Sequence, residues 1–219
     1  MNTLADVPHQ FLPALNAVIA QEGGWKFTNH PNDPGGMTFG GMTYATFKDW
    51  APKLGFGIPD PASFEAAAHE PGIDASKHLQ YQIAMVYKAA FWDKMLLDEI
   101  LWSGWPRVCL FSAAVNLGLG EAVEIVQHTV GVKADGVFGP ATKQAILALP
   151  SSGIVEQRFK QHWRLKYAEL VHDNAEAWVE YAFALGNAEN PGAPTPIEPR
   201  YKRFEQLAGW LNRVESISG

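Results

Sequence analysis

The chain has 219 residues, enough for one large domain or two small ones, and its 47% hydrophobic and 18% charged residues are a soluble globular composition. A formal charge of −6 argues against nucleic acid, which calls for a basic stripe, and gives no help in approaching an anionic polymer. The single cysteine, Cys109, excludes an internal disulfide and, within the apolar run RVCLFSAAVNLGLG, reads as a small buried hydrophobe.

The first residues lack a basic segment followed by a continuous apolar core, so no signal peptide is expected and the protein is expected to be made in a cytoplasm. No stretch reaches the ~18 apolar residues of a membrane span. From Phe11, the positions Phe11, Leu15, Val18 and Ile19 recur at helical spacing, and Glu22 continues that stripe until Gly23-Gly24 ends the helix. Residues 29–43 are rich in Asn, Asp, Pro and Gly with short alternating pieces, which predicts turns and a small β-hairpin. Residues 51–75 read as a connection with one short helix around Phe64. A strong helix follows, with Leu79, Ile83, Val86, Tyr87, Ala90 and Phe91 on one face. The segment WPRVCLFSAAVNLG is apolar nearly all round, as a central buried helix is, and residues 121–130 continue as helix. Asp135-Gly136 marks a turn, and Pro140 opens a further helix. Helices are also predicted over 152–172, 175–185 and 201–217, with an exposed loop before the last.

Glu22 stands at the carbonyl end of a helix macrodipole and on the apolar side, and both settings disfavour its ionised form. A carboxyl with a raised pKa suits general acid catalysis near neutral pH; the alternative is a glutamate that bends out to solvent at a frayed helix end. Asp33 is the candidate second carboxylate, with Thr38 and Thr43 near it to hold a water, although NDPGG is also ideal turn chemistry and Asp33 suits a turn cap. Metal chemistry finds no support: the seven histidines are scattered, and His69-Glu70 reads as a solvated loop. Neither a nucleophile elbow nor a phosphate loop occurs, so carboxylate chemistry is the enzymatic reading left standing.

The run EGGW…NHPNDPGGMTFGGMT resembles the N-terminal signature of glycoside hydrolase family 108. Glu22, Gly23, Gly24, Trp25, Pro31, Asp33, Gly35, Gly36, Thr38, Gly41, Met42 and Thr43 occupy its fixed places. The second half, with LFSAAVNLG, VQHTVGVKADGVFGPAT and FEQLAGWLNRV, resembles the peptidoglycan-binding module that accompanies that family. The resemblance implies a mainly α, lysozyme-like two-lobed fold with a small β-hairpin beside the cleft. It also implies an N-acetylmuramidase that cuts the β-1,4 bond between N-acetylmuramic acid and N-acetylglucosamine. Glu22 occupies the catalytic glutamate, and Asp33 and Thr38 are catalytic partners by analogy with phage-type lysozymes. Trp25, Thr43 and Asn116 are implied substrate contacts. Ser112 departs from the family module, which often carries Asp there, and leaves Asn116 without a neighbouring acid.

Such a site needs no cofactor and no metal, and its partner is peptidoglycan, with no nucleic acid, no stable membrane insertion and a monomeric state. The apolar central helix and the lack of a linker predict that a catalytic lobe (8–105) and a helical lobe (106–217) pack into one body. Trp92, Trp102 and Trp105 lie at the junction, where core packing competes with sugar stacking. Without a signal peptide the protein is expected to reach the wall after release or export, as phage endolysins do. A lytic transglycosylase acting on the same bond and a non-catalytic wall-binding or secretion-assisting protein are the rival readings.

Overall fold

The computed structural model describes residues 1–29, 36–70, 72–100, 107–149, 155–170 and Val214. Helix α1 (Leu12–Gln21) buries Ala14, Leu15, Val18 and Ile19 together with Phe11 at its N-cap, following the apolar stripe of the sequence. Burial of each large apolar side chain contributes about 1.5–3 kcal/mol, which anchors the helix in the core. Its C-terminus closes in a Schellman motif. The Gly24 amide donates to the Ile19 carbonyl (2.8 Å) and the Gly23 amide to that of Ala20 (3.2 Å), with Gly23 at φ +88°. Glu22 is the C-cap residue, held where the helix stops.

A three-stranded antiparallel sheet follows, in the order β1 (Phe27–Thr28), β2 (Thr38–Phe39), β3 (Met42–Thr43). Phe27 faces Phe39 and Thr28 faces Thr38, while Thr38 faces Thr43 and Phe39 faces Met42. The expected hairpin is the β2–β3 pair; its two-residue loop, Gly40-Gly41, has both φ angles positive (+56° and +77°), as this tight connection requires. The pairing of β1 outside that hairpin extends the sheet beyond the sequence-based expectation.

Helix α2 (Tyr44–Trp50) starts at Thr43, whose hydroxyl oxygen accepts the Thr46 amide (3.1 Å). Helix α3 (Pro61–His69), capped by Asp60 on the Ser63 amide (3.0 Å), is the short helix expected around Phe64, which is buried. Helix α4 (Asp74–Tyr87) buries Leu79, Ile83, Val86 and Tyr87, but the predicted regular continuation through Phe91 does not hold. The chain widens into a π-type turn over Lys88–Trp92 and tightens to a 3-10 turn over Asp93–Met95. Three contacts hold that departure: Lys88 pairs with Asp93 and Asp98, and the Trp92 indole N–H donates to Asp98 (2.8 Å).

Helix α5 (Arg107–Leu117) is buried at Cys109, Leu110, Phe111, Ser112, Ala113 and Ala114, as its apolar sequence predicts. Helices α6 (Leu119–Val130) and α7 (Pro140–Ala148) follow. Between them, the buried Gln127 side chain ties down the 131–139 loop. Its amide donates to Asp135 (2.8 Å), the Val137 carbonyl (3.1 Å) and Thr142 (3.2 Å), and its oxygen accepts the Asp135 and Gly136 amides. Residues 155–170 are helical and bury Val155, Phe159, Trp163 and Tyr167. The helices predicted over 175–185 and 201–217 lie outside the described residues, apart from Val214, which is helical and buried.

The centre of the core is aromatic and long-range. Phe11 meets Trp92 and Phe111 edge-on, each at 5.2 Å, and Tyr87 meets Phe111 at 6.3 Å. Helices α1 and α5 pack directly on each other, so residues on either side of position 105 share this packing. Among the described residues, no helix is long and apolar enough to cross a membrane.

Candidate active site

Glu22 is half-buried at the end of α1, and the β2–β3 loop closes over the root of its side chain. A β-carbon placed on Gly41 would lie 2.6 Å from Glu22 Cγ, 3.0 Å from its Cβ and 2.9 Å from the Tyr87 hydroxyl oxygen. The C-cap residue of α1, the last residue of α4 and the tip of the sheet therefore converge on one point, and only a glycine fits there. The Tyr87 hydroxyl donates to the Gly40 carbonyl (3.1 Å). Burial pushes the Tyr87 phenol well above its ordinary pKa, and the nearby Glu22 charge adds to that.

Trp25, three residues beyond Glu22, is half-buried and lies tilted against Phe39 at 5.5 Å. Its ring also covers Gly40, where a β-carbon would meet it at 2.6 Å, so this side chain holds the loop that faces Glu22. Thr38 sits on the central strand between Thr28 and Thr43, and its hydroxyl donates to the Gly36 carbonyl (3.3 Å). The hydroxyl of Thr43 accepts the Thr46 amide and donates to the Thr46 hydroxyl (2.9 Å), so its visible work is helix capping. Asp33 lies outside the described residues, as do Trp102 and Trp105.

From α5, the Ser112 hydroxyl donates to the Gln21 side-chain oxygen (2.9 Å). The Asn116 amide donates to the Ser112 carbonyl (2.7 Å) and hydroxyl (3.3 Å). Ser112 thus links α5 to the residue directly before Glu22, and the Asn116 amide is turned onto its own helix. Trp92 is buried at 1% exposure among Phe11, Phe111 and the Arg107 guanidinium, which is core packing. His69 lies against Phe27 (4.5 Å) and pairs with Glu65 (3.6 Å). Among the described residues no group of three or more His, Cys, Asp or Glu side chains is gathered for a metal ion. A separate groove, where His128 stacks on His162 beside Glu121, Glu124, Lys166 and Glu169, contains none of the candidate residues.

The residue that sequence reasoning missed is Tyr87. In the pattern of α4 it counts as one more apolar position, and nothing local says that its hydroxyl reaches a loop 47 residues away. The only available signal was its polar handle on an otherwise apolar face, which a buried Tyr must satisfy.

Residues 15–118 match the family model described as Glycosyl hydrolase 108, a span that runs from within α1 to the end of α5. Over that span the chain carries a glycoside hydrolase domain. The whole chain is also similar in fold to the solved structure of SagA from Brucella abortus, with 22% sequence identity, a TM-score of 0.52 and 95% of each chain covered. The fold is accordingly mainly helical and lysozyme-like. No curated protein matches the chain.

Proposed function

From the glycosyl hydrolase 108 domain carried by residues 15–118, we propose that the protein is a peptidoglycan hydrolase of the lysozyme kind, an N-acetylmuramidase. Its substrate bond is the β-1,4 link between N-acetylmuramic acid and N-acetylglucosamine, and Glu22 is the general acid. The observation that supports this reading is the setting of Glu22 within that domain. It caps a helix buried along one face, its stem is walled by Gly41, and a polar chain from α5 braces the preceding residue.

In this reaction the Glu22 carboxyl gives its proton to the glycosidic oxygen as the bond to the anomeric carbon breaks. Water supplies the hydroxyl that completes that carbon and releases a reducing muramic end. Asp33, together with Thr38 of the central strand, is the group proposed to orient the water or steady the oxocarbenium-like state. The rigid backbone frame matters because an acid that wanders by an ångström loses much of its effect. Peptidoglycan is the polymer partner, reached after release or export.

Glu22→Gln keeps the shape and removes the transferable proton. Purified peptidoglycan is incubated with both proteins, turbidity is followed, and the fragments are identified by mass. Wild type is expected to release reducing muramic ends, and Glu22→Gln to lose at least about 100-fold in rate. Anhydromuramic ends would replace the hydrolase by a transglycosylase. Binding to peptidoglycan without clearing would leave a wall-binding protein.

A further inference from the structure

We propose that Tyr87 is a positioning residue for Glu22: its hydroxyl holds the Gly40 carbonyl, and with it the Gly40-Gly41 turn, against the stem of the glutamate. This inference rests on the reading of Glu22 as the general acid and adds to it the group that keeps the acid in place.

The case is geometric. A glutamate at a helix end has freely turning side-chain bonds and would occupy several rotamers unless something walls it in. Here the wall is backbone. The missing β-carbon of Gly41 would strike Glu22 Cγ at 2.6 Å, so the turn itself limits where the stem can go. A two-residue turn on two-residue strands has little stiffness of its own. Tyr87 supplies it. The ring is only 2% exposed and is fixed by Phe111 (6.3 Å, 79°) and Phe91 (6.2 Å), which aims the hydroxyl at the Gly40 carbonyl. The bond to Gly40 spans the gap between α4 and the sheet and is itself buried. The Glu22 charge raising the pKa of the phenol is the same proximity seen electrostatically.

A purely structural tether would do the same for stability without touching the chemistry, and the molecule contains a matched example. The Tyr44 hydroxyl donates to the Pro59 carbonyl at 2.7 Å, another phenol tying an element to a distant loop. Tyr87→Phe and Tyr44→Phe each delete one such bond and keep the ring. The two variants, wild type and Glu22→Gln are compared in thermal unfolding, in steady-state cleavage of solubilised glycan strands, and by NMR of the labelled Glu22 side chain at one fixed pH.

The expected result is that both Tyr→Phe variants fold and lose similar amounts of stability. Tyr87→Phe alone loses about tenfold in kcat with KM within about twofold of wild type. In the same variant the Glu22 Cγ signal shifts or broadens from its wild-type position, while in Tyr44→Phe it does not. Tyr87→Phe matching Tyr44→Phe in kcat and in the Glu22 side-chain signal would overturn the proposal. If wild type fails to cleave the glycan, the muramidase reading falls, and the Glu22 side-chain signal in Tyr87→Phe still decides whether this tyrosine positions the glutamate.

Discussion

Gly41→Ala puts a single methyl group at the point where the sheet, α1 and α4 meet. The methyl would lie 2.6 Å from Glu22 Cγ, which is 0.8 Å short of the 3.4 Å at which ordinary contact begins. Neither neighbour yields easily: Cγ is near the root of its side chain, and the Tyr87 oxygen is held on the Gly40 carbonyl. Glu22 must therefore shift by most of an ångström, a misplacement expected to lower kcat by on the order of 10- to 100-fold. In the transition-state barrier this is roughly 1.4–2.7 kcal/mol. The substitution also costs about 1–2 kcal/mol of stability, because φ at Gly41 is +77°.

Gly55→Ala separates these two effects. Gly55 has φ +75° and nothing within 4 Å of a placed β-carbon, so it carries the backbone penalty without the collision. Both variants are assayed by urea unfolding and by initial rates on purified peptidoglycan under conditions where both are folded. The reasoning is refuted if Gly41→Ala keeps kcat within about twofold of wild type, or if Gly55→Ala loses as much activity as Gly41→Ala.

The other consequences lie in the helical part of the chain. Gln127→Ala removes the side chain that holds the 131–139 loop, with an expected loss of about 3 kcal/mol measured as a lower urea midpoint at unchanged slope. The Gln127 amide, then the Val137 N–H, holds the Asp135 carboxyl below the usual carboxylate range. That contribution is complete above the ordinary value near pH 4 and is lost as pH falls through the lowered folded value, so Gln127→Ala should show a weaker fall in stability on acidification in the same assay. Burial pushes the Cys109 thiol up to about 12, so native protein at pH 8 should resist iodoacetamide, with labelling by mass appearing only on unfolding.

The helical frame was readable because it depends on local pattern. The spacing of Phe11, Leu15, Val18 and Ile19 gives α1 its buried face, and Gly23-Gly24 gives its end. The same logic located α5 and the Pro140 start of α7. What could not be read depends on partners distant in sequence. β1 exists only by pairing with β2 across the nine intervening residues 29–37, and two residues carry no period of their own. The turn at Lys88–Trp92 departs from helix because Asp93 and Asp98 draw in Lys88 and Trp92, a contest invisible to periodicity. At the site, Glu22 was marked by being a carboxylate where helices favour cations. Thr43, chosen for its hydroxyl beside the glycines, has its hydroxyl engaged in capping α2, and the TxxT spacing with Thr46 was the overlooked sign.

The shortness of the sheet has a consequence for how such a protein fails. Strands of two residues have almost no independent stability, so the β wall over Glu22 persists only while α1 and α4 hold it from below. The aromatic core around Phe11, Trp92 and Phe111 does not depend on the wall in return. The wall can therefore open as a small cooperative unit, at a free energy well under that of global unfolding, while the helices stay packed. Warming should silence the catalytic end of the molecule before it melts the body, and on cooling the body should re-form first and wait for the six strand residues to close over Glu22.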